Sequence, residues 1–256
     1  MRIVIKIGSS TLAHPTGKLN IRLVERLCKV ISDIKNAGEE IVVVSSGAIA
    51  MGVSKLGFAS RPSDMPSKQA AAAVGQCELM YVYDRLFSDY NHTVAQILIT
   101  GDDIEHEERR EHFVNTTERL LELGALPIIN ENDTVATAEI AVGDNDTLAA
   151  IVAVSLNAEL LILLSDIDGL YSADPRKDKN ARLIPVVEKV DESIFALAGG
   201  AGTSLGTGGM ATKIKAAKIC TESGADMIIA NGSDPEILYD ILQGKGEYTR
   251  FRGVKK

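Results

Sequence analysis

The sequence predicts an α/β protein, an α/β/α sandwich around a mostly parallel sheet. Two observations predict it. Four times a helical pattern stops at a glycine or asparagine and a short apolar run follows. These are Gly38 before IVVV, Gly124 before LPII, Asn157 before LLILL and Gly224 before MIIA. Glycine or asparagine just past a helix end supplies the left-handed cap. Runs apolar on both faces, alternating with longer helices, belong to parallel strands covered from both sides. With 256 residues, 45% of them hydrophobic, the chain can bury a real core, and disordered and fibrous classes are excluded.

The elements follow in order. Arg2 to Ile7 reads as a strand ending in Gly8-Ser9-Ser10. Asn20 then caps an amphipathic helix, Ile21 to Asn36, with apolar positions at Leu23, Leu27, Val30, Ile31 and Ile34. The IVVV strand ends in Ser45-Ser46-Gly47-Ala48. A long helical stretch, Gln69 to Phe87, precedes a strand from Thr93 to Ile99. The LPII strand ends in Asn130-Glu131-Asn132-Asp133, and Val135 to Val142 is a short alternating stretch before Gly143-Asp144-Asn145-Asp146. Asp146 is positioned to cap a helix from Thr147 to Leu156. The LLILL strand ends in Ser165-Asp166, the MIIA strand in Asn231-Gly232, and a last short strand near Glu247 to Phe251 closes an edge. No Pro/Gly/Ser linker or charge block divides the chain. The expected organisation is one domain, residues 1–256, with two lobes meeting near Leu156. The acidic run Asp102 to Glu111 reads as a solvated face.

Composition excludes several functions. A formal charge of -8 argues against binding a nucleic-acid backbone. The N-terminus, MRIVIKIGSS, has no apolar stretch long enough for a signal peptide, and the most apolar window, Leu148 to Leu164, is broken by Ser155, Asn157 and Glu159, so no membrane span is expected. Cys28, Cys77 and Cys220 lie far apart inside helix-like patterns and read as reduced core thiols of a cytoplasmic protein. His14, His92, His106 and His112 have neither metal-ligand nor triad spacing.

In open parallel sheets a ligand sits beyond the carboxyl ends of the strands, where the polar loops gather. Lys6, followed at once by Gly8-Ser9-Ser10, suits a phosphate, because bare glycine amides can approach an anion. Ser45-Ser46-Gly47-Ala48 opens a helix whose free amides suit a carboxylate or phosphate, although a plain tight turn explains it equally well. Gly199 to Gly209 holds six glycines in eleven residues directly before a helix starting near Met210 and carrying Lys213. It is not a Walker A loop, which requires Gly-Lys-Ser/Thr, whereas Lys213 follows Thr212 and precedes Ile214. Gly206-x-Gly208-x-x-Ala211 fits a loose dinucleotide pattern, but no strand precedes it and no acid ends the next strand, so that match reads as chance. The two Asx-rich loops around Asp133 and Asp144 are each explicable as turns, and together suggest a polar pocket.

Taken together, KIGSS, VVSSGAIAMG, INENDTVATAEIAVGDNDTLAA, LLSDIDGLYSADPR and GTGGMATKIKAAKI resemble the amino acid kinase family over nearly the whole chain. INEND with GDND, and GTGGMATK, resemble its glutamate-phosphorylating branch in particular. The resemblance implies that family's sandwich fold, with an amino-acid-binding lobe at about 1–156 and a nucleotide-binding lobe at about 157–256. It implies transfer of the γ-phosphoryl group of ATP, with Mg²⁺, to the side-chain carboxylate of L-glutamate, the first step towards proline. By resemblance Lys6 contacts the transferring phosphoryl group, Lys213 stabilises the transition state, and Asp144 orients both lysines. Ser46, Asp133 and Asn145 would bind glutamate, with Asn132 and Asp146 as second candidates. Lys6, Ser165, Asp166, Thr207, Gly208, Gly209, Met210, Ala211, Thr212 and Lys213 would hold ATP. Many bacterial members of that branch carry a further C-terminal PUA domain, and a form without it is expected here. A homo-oligomer is expected, and proline is a possible feedback inhibitor acting near Asp102 to Thr117. Rival readings are a kinase acting on acetylglutamate, aspartate or carbamate, which should lack the INEND and GDND pair, a silent sensor, which should lose a lysine, and a nicotinamide dehydrogenase.

Overall fold

The computed structural model describes residues 1–14, 16, 18–136, 144–198 and 209–254. In chain order its elements are β1 (Arg2–Ile7), α1 (Ser9–Leu12), α2 (Ile21–Asn36), β2 (Glu40–Val44), α3 (Ala48–Lys55), α4 (Met65–Ser88), β3 (Val94–Ile99), α5 (Gly101–Glu105), α6 (Glu107–Glu122) and β4 (Leu126–Glu131). Then come α7 (Asn145–Ser155), β5 (Leu160–Ser165), β6 (Val186–Val187), α8 (Glu192–Leu197), α9 (Met210–Ser223), β7 (Asp226–Asn231), α10 (Ile237–Leu242) and β8 (Thr249–Phe251).

The eight described strands form one sheet in the order β3-β4-β2-β1-β5-β7-β8-β6. Every pairing is parallel except β7 with β8, so the expected mostly parallel sheet is present. β8 does not end the sheet, because the two-residue β6 pairs beyond it. A strand of two residues leaves no periodicity to read in the sequence.

Alternation along β1 divides the core. Ile3, Ile5 and Ile7 pack with Leu27 and Ile31 of α2 and Leu79, Tyr83 and Phe87 of α4. Val4 faces the other way, onto Leu148 and Val152 of α7 and Ile214 and Ala217 of α9. Burial of apolar side chains on both faces explains why the strands read as continuous apolar runs.

One helix start differs from expectation, and the acidic run is the solvated face expected, with Glu105 to Glu111 exposed. α4 begins at Met65 rather than Gln69, because the Asp64 side chain accepts from Ser67 N and Pro66 occupies the first turn. The acidic run at Asp102 is helical. Thr100 and Asp103 form a reciprocal capping box for α5, and α6 buries Phe113 and Thr117.

The start of α7 matters most for the site. The cap is Asp144, not Asp146. Its extended backbone (φ -164°, ψ 153°) lets Oδ1 accept from Asp146 N at 2.9 Å and Thr147 N at 2.8 Å, while Oδ2 accepts from Thr147 Oγ1 at 2.9 Å. Asp146 is thereby inside the first helical turn, with its carboxylate free to point elsewhere.

Candidate active site

The carboxyl ends of β1, β2, β4 and β5 and the first turns of α3, α7 and α9 surround a cavity of about 870 Å³. Nine of the expected site residues line it: Lys6, Ser46, Asp133, Asp144, Asn145, Asp146, Ser165, Asp166 and Lys213. Gly209, Met210, Ala211 and Thr212 form the start of α9 beside it. Asn132 is turned away, its Oδ1 accepting from Thr134 Oγ1 and its N–H donating to Ile99 O at 2.8 Å. Gly143 and the glycine-rich stretch from Gly199 to Gly208, with Thr207 in it, lie outside the described residues.

At the centre one carboxylate joins two lysines. Asp146 Oδ1 meets Lys6 Nζ at 2.7 Å, and Asp146 Oδ2 meets Lys213 Nζ at 3.0 Å and accepts from Thr212 Oγ1 at 2.9 Å. Lys6, Asp146 and Lys213 are 8%, 1% and 4% exposed, so all three charges are out of bulk water. Burial alone would raise the Asp146 carboxyl, but the two ammonium groups outweigh it and hold it below the usual carboxylate range. The carboxylate expected to orient both lysines was that of Asp144; the structure puts Asp146 there instead. The reason is local. Asp144 spends both oxygens capping α7, and the residue two positions on, already helical, projects toward β1 and α9.

The other end of the cavity carries polar groups of fixed polarity. Asn145 Nδ2 donates to Ser45 O at 2.6 Å, Ser46 Oγ at 2.9 Å and Asn130 Oδ1 at 3.0 Å. Its Oδ1 is therefore the atom left to face the cavity. Ser46 Oγ accepts from Asn145, which leaves the hydroxyl hydrogen to donate. Gly47, with φ 86°, caps α3 in the left-handed region, where a side chain would be strained, and no side chain caps the amides behind it. Ala48, Ile49 and Ala50 of that turn line the same wall. Asp133 completes this end. Burial raises its carboxyl above the ordinary value, and the positive field of Arg61 partly offsets the rise.

Arg61 was missed in the sequence, as were Glu131 and Asn130, which appeared there only as parts of a loop motif. Arg61 comes from the irregular segment between α3 and α4, which carries no periodic signal. The segment from Asp102 to Thr117 contributes nothing to the cavity wall among the described residues. Near Ser165, Oγ donates to Asp166 Oδ1 at 3.1 Å, leaving the second oxygen of Asp166 for a cation or water. No group of three or more His, Cys, Asp or Glu side chains that could cage a metal occurs among the described residues.

The fold matches solved structures of other enzymes. Carbamate kinase from Giardia lamblia bound to AMP-PNP superposes with a TM-score of 0.70 at 19% identity, covering 99% of this chain and 98% of that one. UMP kinase from Ureaplasma parvum gives 0.68 at 18%, covering 98% of each. Sequence relatives are much closer. Glutamate 5-kinase of Clostridium perfringens is 50% identical over 99% of this chain and 96% of its own length, and that of Clostridium tetani 51% over 99% and 95%. Glutamate 5-kinase of Carboxydothermus hydrogenoformans is 52% identical over all of this chain, which spans 68% of that longer protein. The pattern of the amino acid kinase family runs through residues 1–231. The chain therefore belongs to the amino acid kinase family and, within it, to the glutamate 5-kinases.

Proposed function

We propose that this chain transfers the γ-phosphoryl group of ATP to the side-chain carboxylate of L-glutamate, giving L-glutamyl 5-phosphate, the first step of proline biosynthesis. The observation that carries the mechanism is the Lys6–Asp146–Lys213 bridge, which holds two cations at fixed spacing at one end of a cavity whose other end is built for an amino acid.

A glutamate side chain, with a pKa of about 4.3, is already ionised at neutral pH, so the nucleophile needs no general base. Among the described residues, no histidine lines the cavity. The reaction requires positioning and neutralisation of the charge spread over the moving phosphoryl group. Lys6, from β1, and Lys213, from α9, approach that group from opposite sides, and Asp146 keeps two like charges from repelling. Ser165, Asp166 and the first turn of α9 hold the nucleotide. Ser46 and the free amides of α3 take the α-carboxylate, and Asp133 and Asn145 the α-ammonium. The lobes at about 1–156 and 157–256 thus supply the amino-acid and nucleotide halves of one sheet edge.

Mg²⁺ fits this site as a companion of the nucleotide phosphates. Asp166 offers one hard oxygen, Asp146 is already balanced by two cations, and the ion's reluctance to dehydrate suits phosphate and water ligands. It would supply charge neutralisation between phosphates. The enzyme acts in the cytoplasm as a homo-oligomer, and free proline inhibits it; gel filtration and rates at millimolar proline with subsaturating glutamate check the last two. Hydroxylamine trapping tests the reaction. Glutamyl hydroxamate should form only with ATP, Mg²⁺ and L-glutamate, and product from aspartate or acetylglutamate instead would refute the assignment.

A further inference from the structure

Asn145 is one link in a buried chain of amides. Asn130, 1% exposed at the end of β4, accepts at Oδ1 from Glu131 N at 3.0 Å and from Asn145 Nδ2 at 3.0 Å. Its Nδ2 donates at 2.9 Å to Oε1 of Gln76, which is 7% exposed on α4 and outside the cavity wall. The backbone N–H of Glu131 fixes the order of the whole chain. It can only donate, so it requires Oδ1 of Asn130 on its side, which turns Nδ2 to Gln76 and requires an acceptor there. Gln76 Nε2 is consequently buried with no hydrogen-bond partner among the described residues. Buried polar groups are ordinarily satisfied. Neighbouring core positions of the same helix are Ala72, Leu79 and Tyr83, so packing alone gives no reason for an amide here.

Resting on the reading of the cavity as a glutamate site, we propose that Gln76 is a positioning residue that makes this site select a free α-ammonium. Gln76 holds Asn130, and Asn130 Oδ1 is one of the three acceptors, with Ser45 O and Ser46 Oγ, that share the two Asn145 amide hydrogens. Asn145 is left presenting a carbonyl, which accepts from an ammonium and repels a carboxylate. If Gln76 lets go, Asn130 can turn, Asn145 loses one of its three acceptors, and the carbonyl facing the substrate is held less firmly. Side chains beyond contact distance thus set what the site reads.

The test compares L-glutamate with glutarate, the same dicarboxylate without the amine, in wild type and variants of position 76. Gln76→Met keeps length and volume but removes the acceptor; Gln76→Glu keeps an acceptor. In Gln76→Met the glutamate KM should rise about five- to tenfold, the upper range for one lost neutral hydrogen bond, with ATP KM changed less than about threefold. The preference for glutamate over glutarate in kcat/KM should fall by a similar factor. Gln76→Glu should keep that preference. If Gln76→Met does not fold, Gln76→Ser, too short to reach Asn130, is read by the same criteria. A folded Met or Ser variant with unchanged preference, an equal rise in ATP KM, or a Glu variant that loses as much as Met overturns the proposal. Wild-type enzyme without glutamate activity would instead overturn the glutamate reading beneath it.

Discussion

Replacing Asp146 by asparagine separates the charge-organising residue from the helix-capping one. The substitution keeps shape and an acceptor for Thr212 Oγ1 but removes the negative charge that Lys6 Nζ meets at 2.7 Å and Lys213 Nζ at 3.0 Å. Two ammonium groups bridged by one carboxylate sit roughly 6 Å apart. At an effective dielectric constant of about 20 their repulsion is on the order of 3 kcal/mol. Without Asp146 that repulsion is unbalanced, and breaking a buried pair by removing one partner typically costs about 3 to 5 kcal/mol. The lysines must separate or lose a proton, and either outcome takes one preorganised cation from the phosphoryl group, worth about 10² to 10³ in kcat. Asp146→Asn should therefore lose at least about a hundredfold in kcat, measured by ADP release and confirmed by hydroxamate, and should melt at lower temperature. Asp144→Asn is the control, because asparagine caps a helix about as well as aspartate and the bridge residues stay in place. A hundredfold loss in Asp144→Asn with Asp146→Asn within tenfold of wild type would refute the bridge as the catalytic arrangement.

Further outcomes follow from the same geometry. Lys6→Ala and Lys213→Ala should each lose at least about 10² in kcat; normal kcat with only a raised KM would make the lysine a binding residue. Asp133→Ala and Asn145→Ala should raise the glutamate KM about ten- to a hundredfold and ATP KM less than about threefold, and an equal fall in ATP affinity would overturn the division of the cavity. The raised Asp133 carboxyl must be ionised to hold an ammonium, so kcat/KM for glutamate should fall on acidification through a pKa above the ordinary aspartate value of about 3.9, and Asp133→Asn should leave only the limb of the substrate's own side-chain carboxyl at about 4.3. Asp146, held below its ordinary value, stabilises the fold above about pH 3.9 and loses this as pH falls through its lowered pKa, so the acid limb of the melting temperature should flatten in Asp146→Asn.

Much of the fold was legible because burial from both sides writes itself into continuous apolar runs, as in Ile41–Val44 and Leu160–Leu164. Glycine and asparagine marked the helix ends, and Gly38, Asn157 and Gly224 do adopt positive φ. What escaped was set by contacts distant in sequence. Gly75 on α4 approaches Ala48 of α3 so closely that a Cβ would lie 1.7 Å from the Ala48 carbonyl oxygen, and Gly52 meets Ala71 equally tightly. Neither glycine has a turn signature, yet together they seat the turn that offers its amides to the cavity. Within the site, the loops carrying chemistry were visible from residue type and placement at strand ends. Which of Asp144 and Asp146 meets the lysines was not, since either aspartate can serve as a cap and only three-dimensional structure shows which one does. Arg61 and Gln76 were invisible for another reason, one lying in an irregular loop and the other inside a helix that reads as plain core.

The first turn of α7 explains how the two halves of the cavity stay in register. Successive helical residues point about 100° apart around the axis, so neighbours in sequence face different surroundings. Asp144, still extended, turns back onto the helix and fixes where it begins. Asn145, the first helical residue, faces Ser45, Ser46 and Asn130 and the amino-acid end of the cavity. Asp146, the next, faces Lys6 and Lys213. The Ser45–Ser46–Asn130 side of the cavity and the two lysines are thus met by adjacent residues of one turn, behind one cap. In-line transfer needs the attacking carboxylate and the moving phosphoryl group within about 3 to 3.5 Å and aligned. On the proposed reading, a turn shared by both halves of the cavity sets that separation, because displacing Asn145 without Asp146 would require unwinding the helix start that Asp144 secures.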